Sequence, residues 1–184
     1  MTLPYLVTDL ETLRHAAQAR ADDYDAFRYY VEDDVHTDAQ FDALVEALAA
    51  PIIGAIDCTE CAHCCRSLAV YVTPQDVQHL AAGLGQDVQT IRATYIDHER
   101  AQAVEEWGML KAAPCPFLQD KLCGVYPQRP ESCRAYPEFT PDFRWQLGHI
   151  LGGVGRCPII YNVIEAVQIH LKWKSASALD TGAG

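Results

Sequence analysis

Apolar residues recur at helical intervals from the start of the chain. Leu10, Leu13, Ala17, Tyr24, Phe27 and Val31 follow a Thr8 and Glu11 pair at capping-box spacing, which predicts one long helix over residues 9–32. Thr37 and Gln40 repeat that spacing and open a second helix with Phe41, Leu44, Val45 and Leu48 on one face, ending at Pro51. The two stripes predict an antiparallel helical pair whose apolar faces serve core packing.

Beyond residue 65 the periods are shorter. Leu68 to Val72 is β-prone, and Thr73-Pro74-Gln75-Asp76 joins an N-cap, a proline at the first helical position and an acid three residues after the cap. Val77, Leu80, Ala81 and Leu84 continue that helix to Gly85, and Val88, Ile91 and Tyr95 mark another reaching Ile96. A further helix is expected over residues 97–107. From Pro114 to Pro141 prolines are frequent and periodicity is lost, although Phe117-Leu118 can pair with Leu122 to Tyr126 across Gln119-Asp120-Lys121, bringing Cys115 towards Cys123. Pro158 opens a last helix with Ile160, Val163, Ile164, Val167 and Leu171 on its stripe, and residues 175–184 read as a flexible tail.

The chain has 184 residues with 49% hydrophobic content, enough for a well-buried core. Its net charge of −11 is uneven: residues 1–50 hold eleven acidic and three basic side chains, a net of −8, which leaves −3 for the other 134. That balance repels phosphate backbones and anionic lipid surfaces, so neither nucleic acid nor membrane is an expected partner. A secretory leader pattern is missing, and the longest apolar stretch, Ala47 to Ile56, is too short to span a bilayer. A cytoplasmic protein is expected.

The eight cysteines change the picture most. Four lie within Cys58-Thr59-Glu60-Cys61-Ala62-His63-Cys64-Cys65, and Cys115, Cys123, Cys133 and Cys157 follow. In a reducing compartment such density points to metal ligation rather than disulfides. Buried packing explains a lone cysteine but not four in eight residues. A C-x2-C-x2-C triplet with later Cys-Pro pairs, Cys115-Pro116 and Cys157-Pro158, resembles ferredoxin-type spacing more than a zinc ribbon's separated pairs, so an iron–sulfur cluster or iron is expected, with zinc as the alternative. Adjacent Cys64 and Cys65 suit two metals, or a metal and a second role, better than one ion. Cys157 precedes the last helix, where the macrodipole favours a thiolate. All eight cysteines are candidate ligands.

Arg66, Arg134 and Arg156 each adjoin a cysteine, and Arg129 lies four residues before Cys133. Four thiolates around a dipositive centre leave about two excess negative charges, which these arginines are suited to offset by donating to sulfur or carbonyls. His63 is a further candidate donor. Asp33 with His36, Asp76 with His79 and Glu60 with His63 have carboxylate-x-x-imidazole spacing, without the matched set a di-iron bundle needs. The expected fold is mainly α, a helical domain with an irregular cysteine-rich metal-binding core and at most a small β-hairpin. Its expected parts are an acidic N-terminal helical extension packed on the core (1–50), a cysteine-rich metal-binding domain (51–174) and the tail.

The cysteine run, the Thr-Pro-x-Asp helix start, Cys115-Pro116-Phe117-Leu118, Cys123-Gly124-Val125-Tyr126, Arg129-Pro130 and Cys133-Arg134-Ala135-Tyr136-Pro137 together resemble the CxxCxxCC family, also called YkgJ-type, over roughly residues 55–160. The resemblance implies zinc or iron chelation by these cysteines. Flagellin lysine N-methylases are similar in the cysteine region, which makes a metal-dependent enzyme one alternative. Gly152-Gly153-Val154-Gly155 lacks the preceding strand of a nucleotide loop and reads better as a tight turn presenting Cys157. No catalytic residue is assigned. The leading expectation is a metal carrier in chelation, delivery or electron transfer; a structural-zinc module docking a protein partner through its N-terminal helices is the other alternative.

Overall fold

The computed structural model describes residues 5–174, so the expected tail, 175–184, lies outside the described residues. In chain order the elements are helices α1 (Leu10–Ala19), α2 (Ala21–Glu32), α3 (Asp38–Ala55), α4 (Cys58–Cys61) and α5 (His63–Ser67), then strand β1 (Tyr71–Val72). Next come α6 (Pro74–Leu84), α7 (Val88–Tyr95), β2 (Ile96–Asp97), α8 (His98–Gln102), β3 (Gly108–Leu110), β4 (Leu118–Gln119) and β5 (Leu122–Cys123). A 3-10 turn (Tyr126–Gln128), α9 (Glu131–Ala135), α10 (Phe143–Leu151) and α11 (Pro158–His170) complete the described chain. The fold is mainly α. Its described strands form a three-stranded antiparallel sheet, ordered β1-β3-β2, and the β4–β5 hairpin. No helix among the described residues is long and apolar enough to cross a membrane.

Two compact units emerge: residues 5–57 with 137–174, and Cys58–Tyr136. The helix expected to end at Pro51 does not stop there: α3 runs through that proline to Ala55. Proline within a helix forfeits a hydrogen bond and crowds the preceding turn, at a cost of about 3 kcal/mol. Burial of Ala49 and Ile52, on either side of it, offsets that cost as α3 packs along α11.

The first unit is an assembly of α1, α2, α3, α10 and α11. Phe27, Phe41 and Phe143 are fully buried, and the Phe41 and Phe143 rings stack with centroids 5.6 Å apart. The single helix expected over 9–32 is instead two, broken at Arg20 (φ −118°, ψ 22°), whose guanidinium reaches Glu165 at 2.6 Å and Gln168 at 2.8 Å on α11. Asp9, not Thr8, caps α1, its carboxylate accepting from the Thr12 amide at 2.8 Å. Helix α10 has no clear sequence signal; both oxygens of Asp42, on α3, cap it by accepting from the amides of Asp142 and Phe143 at 2.9 Å. A Cβ at Gly153 would meet Ile160 Cδ1 at 2.4 Å and the Ile150 carbonyl at 3.1 Å, so the close turn from α10 towards α11 favours glycine.

The second unit has its apolar core where α6 and α7 meet the sheet and the hairpin: Val77, Leu80, Ile91, Ile96, Leu110 and Phe117. Thr73 and Asp76 form the expected capping box. Helix over 97–107 is cut to the five residues of α8, because the Glu106 amide closes back on the Ala101 carbonyl at 2.9 Å across Glu105 at φ 61°. The chain then returns as β3, pairing Ile96 with Leu110 and Tyr71 with Met109. Gly108 lies between two strands, where a Cβ would meet Ile96 Cγ2 at 2.9 Å and Val72 Cγ2 at 3.2 Å. The hairpin forms as expected, with Leu118 opposite Cys123.

Candidate metal centre

The cysteine run folds as two single helical turns. Cys58 to Cys61 form the first, closed by the Ala62 amide on the Cys58 carbonyl at 2.9 Å. Ala62 then takes a left-handed conformation (φ 49°) and is 3% exposed. A non-glycine residue held there stores strain on the order of 1–3 kcal/mol, kept in place by what packs around it. It separates Cys58 and Cys61 on one turn from Cys64 and Cys65 on the next. The second turn, α5, closes with the Leu68 amide on Cys64 O and the Ser67 hydroxyl on His63 O, both at 2.9 Å.

From this run the chain reaches the other cysteines through backbone contacts. The Cys65 carbonyl accepts from the Cys115 amide at 2.7 Å, and the Cys115 carbonyl accepts from Leu118 at 3.0 Å at the start of the hairpin. The hairpin carries Cys123 opposite Leu118. Cys133 stands in the middle of α9, which is tied down by the Glu131 amide on Asp76 Oδ1 at 3.0 Å and the Ser132 hydroxyl on the Tyr71 carbonyl at 2.7 Å. Cys115 and Cys123 also pack against the apolar core, which fixes that side of the site.

Cys65, Cys115 and Cys123 lie within electrostatic reach of Cys133. Burial pushes the Cys133 thiol up to about 12, reinforced by the charges of Cys115, Cys65 and Cys123. Burial also raises Cys115, again helped by Cys65 and Cys123. The Cys65 thiol moves the other way, down to about 6, chiefly because the Cys64 side chain hydrogen-bonds to it, with burial opposing and the positive charges of Arg66 and Arg129 assisting. Burial and like charge therefore oppose the ionised forms of Cys115 and Cys133, whereas Cys65 is disposed to ionise. These four candidate donors are all sulfur, a chemistry that suits zinc or iron rather than a hard, oxygen-seeking ion. No group of three Cys, His, Asp or Glu side chains among the described residues is close enough to hold one ion in this arrangement.

The remaining candidates have varied surroundings. Cys58 is exposed, while Cys61 and Cys64 are half-buried. Cys157 is buried and belongs to the first unit, directly before α11. Arg66 donates to the Cys61 carbonyl at 3.0 Å and to the Asp120 carbonyl at 2.8 Å, which stitches the cysteine run to the hairpin turn. Arg129 stacks over Tyr126, 4.2 Å from the ring centre. Arg134 pairs with Glu131, approaches Asp76 to 4.0 Å and has its positive charge supported by Cys133. Arg156, in the first unit, is engaged with Gly152 O through Nε at 3.1 Å and Nη2 at 2.6 Å.

The carboxylate–imidazole spacings acquire other uses. His36 pairs with Asp34 rather than Asp33, and both Asp76 oxygens are committed to Thr73 and Glu131. Asp76 and Ser132 are the residues that sequence reasoning missed as parts of this region. Asp76 was legible as a helix cap, but the reach of its second oxygen to Glu131, 55 positions away, leaves no local signal.

The family model for CxxCxxCC, described as a "putative zinc- or iron-chelating domain", matches residues 57–149, half of the chain. That span holds seven of the eight cysteines and excludes Cys157. No curated protein and no solved structure matches the chain. With the cysteine run, the hairpin and the α9 thiol all inside the matched span, the chain belongs to the CxxCxxCC family of zinc- or iron-chelating domains.

Proposed function

We propose that the Cys58–Tyr136 unit binds iron, as an ion or an iron–sulfur cluster, or else zinc, through its thiolates, and that the protein serves in metal chelation, delivery or electron transfer in a reducing cytoplasm. What supports this reading is that four separate stretches bring Cys65, Cys115, Cys123 and Cys133 within electrostatic reach of one another, with the Cys115 amide on the Cys65 carbonyl at 2.7 Å and Cys123 opposite Leu118 in the hairpin. Packing accounts for Cys115 and Cys123 against the apolar core, but not for the exposed and half-buried thiols of the run; a cation accounts for both. Bound iron would add one-electron chemistry, whereas zinc would add a cross-link only.

Within this reading Cys65, Cys115, Cys123 and Cys133 supply the inner donor set. Cys58, Cys61 and Cys64 contribute the triplet to the same or a second centre, and Cys157 is the eighth candidate. Arg66, Arg129 and Arg134 offset excess thiolate charge and hold the carbonyls around it; Arg156 is the fourth candidate for that role. Because α4, α5 and α9 are each a turn or so long, closing the sulfurs onto an ion also completes the folding of the unit.

The test is anaerobic purification followed by metal analysis and absorption spectroscopy. Brown protein with sulfur-to-iron charge-transfer bands that fade in air supports the iron assignment. Colourless protein with stoichiometric zinc and no iron moves the assignment to zinc. Protein that takes up neither metal, with all cysteines reduced, overturns the reading.

A further inference from the structure

Asp76 is 3% exposed, a buried carboxylate in a unit whose other acidic side chains are at least partly exposed. Its own helix needs one of its oxygens. Oδ2 accepts from the Thr73 amide at 2.8 Å and the Thr73 hydroxyl at 2.9 Å, which completes the capping box at the start of α6. The other oxygen, Oδ1, turns outward from that box and accepts from the Glu131 amide at 3.0 Å, with Arg134 Nη2 4.0 Å away.

None of the five residues of α9 is fully buried, although Cys133 is partly so and Pro130, directly before the helix, is buried. Helix α9 is placed by polar ties: Glu131 to Asp76, the Ser132 hydroxyl to Tyr71 O, and Arg134 to the Arg129 carbonyl. Cys133 lies between these ties. A buried carboxylate that lost its donors would carry the full cost of desolvation, so the Asp76 bond to Glu131 is costlier to break than a surface contact of the same length.

We propose that Asp76 is a positioning residue for the metal centre: by holding the first amide of α9, it sets Cys133 among Cys65, Cys115 and Cys123. The inference rests on the reading above that Cys133 is a ligand. It gives the Thr-Pro-x-Asp segment a second task, in which one carboxylate starts a helix with one oxygen and fixes a distant sulfur with the other. Residues one step removed from a metal typically change its affinity by about 10- to 100-fold when replaced.

The full-length protein offers a way to cut that single bond. Glu131 is the first residue of α9, a position that tolerates proline, and Pro130 already has the extended geometry (ψ 154°) required before a proline. Glu131→Pro therefore deletes the amide hydrogen that Asp76 accepts while leaving the capping box intact; Glu131→Ala keeps that hydrogen and, like the proline variant, removes the side chain that pairs with Arg134. Cobalt(II) is the probe, read by titration and by sulfur-to-cobalt charge-transfer absorption. Glu131→Pro is expected to lower cobalt affinity roughly 10- to 100-fold and to reduce charge-transfer intensity per cobalt. Glu131→Ala is the reference for that loss, since both variants lack the pairing to Arg134 and only the proline variant lacks the amide hydrogen. In a Cys133→Ser background, Glu131→Pro should add no further loss, because the tie acts through that sulfur.

Affinity and intensity in Glu131→Pro that match Glu131→Ala overturn the inference, as does an undiminished further loss in the Cys133→Ser background. Should circular dichroism show that proline at 131 disturbs the fold, Asp76→Asn is judged by the same two readouts, where a matched loss supports the proposal and wild-type binding sinks it. An unmodified chain that binds no cobalt through sulfur defeats the thiolate reading itself, and this inference with it.

Discussion

The two compact units are held together by different means. In the first, helices of nine to eighteen residues enclose fully buried Phe27, Phe41 and Phe143, and polar groups such as Asp42 and Arg20 add caps and cross-ties to an apolar assembly. In the second, a modest core under α6 and α7 supports one-turn helices, two- and three-residue strands and a row of sulfurs. Hydrophobic burial can specify the first without help, because long amphipathic faces have few equivalent ways to pack. Elements as short as α4, α5 and α9 bury too little to fix themselves, so single hydrogen bonds and the proposed metal carry a larger share.

Metal removal is expected to separate the units most sharply, since structural zinc–thiolate sites contribute on the order of 10 kcal/mol. Hydrogen exchange after chelation should show protection lost across residues 58–67 and 115–135 and retained in α3 and α11. Equal loss in both units would break the distinction.

Phe41→Ala tests the opposite side. Removing a fully buried ring costs about 3–5 kcal/mol, so thermal unfolding of α3 and α11 should come markedly earlier. Metal content per chain at low temperature should stay at the wild-type value; a parallel drop would show that the two means of support are not separate.

Arg66→Ala is a smaller intervention within the second unit. It deletes the ties to the Cys61 and Asp120 carbonyls, an exposed pair of charge-assisted bonds together contributing about 1–2 kcal/mol. Faster exchange in the hairpin turn and the cysteine run is expected, with no recovery in Arg66→Lys, whose single ammonium cannot reproduce the fork. Unchanged exchange in both variants would remove Arg66 from the framework of the site.

The smallest effect distinguishes two neighbouring caps in the first unit. Asp9→Ala should destabilise α1 slightly, and Thr8→Ala should be close to neutral. Chemical denaturation of the two variants measures the difference, and the reverse order would return the cap to Thr8.

Local chemistry explains what was legible. Thr37 with Gln40 and Thr73 with Asp76 form capping boxes because donors and acceptors lie three residues apart, and the Gln119 to Lys121 turn closes a hairpin for the same reason. The misreadings occur where a distant partner decides. Arg20 leaves the helical pattern to reach Glu165, Pro51 is carried through by packing against α11, and α10 is capped from Asp42, a hundred residues earlier. The stretch 97–107 fails differently, since its Glu105 adopts a left-handed conformation that glycine would have announced.

By itself, the sequence determined that thiolate chemistry dominates this protein, since four cysteines in eight residues cannot be dispersed by any fold. It also determined where most helices begin, since a cap needs only its own first turn. Tertiary structure alone decided that the Cys115 amide reaches the Cys65 carbonyl, that Cys157 falls in the other unit, and that Asp76 reaches Glu131. Those pairings span tens of residues, and a side chain's periodicity records which face is buried but not which partner it is buried against.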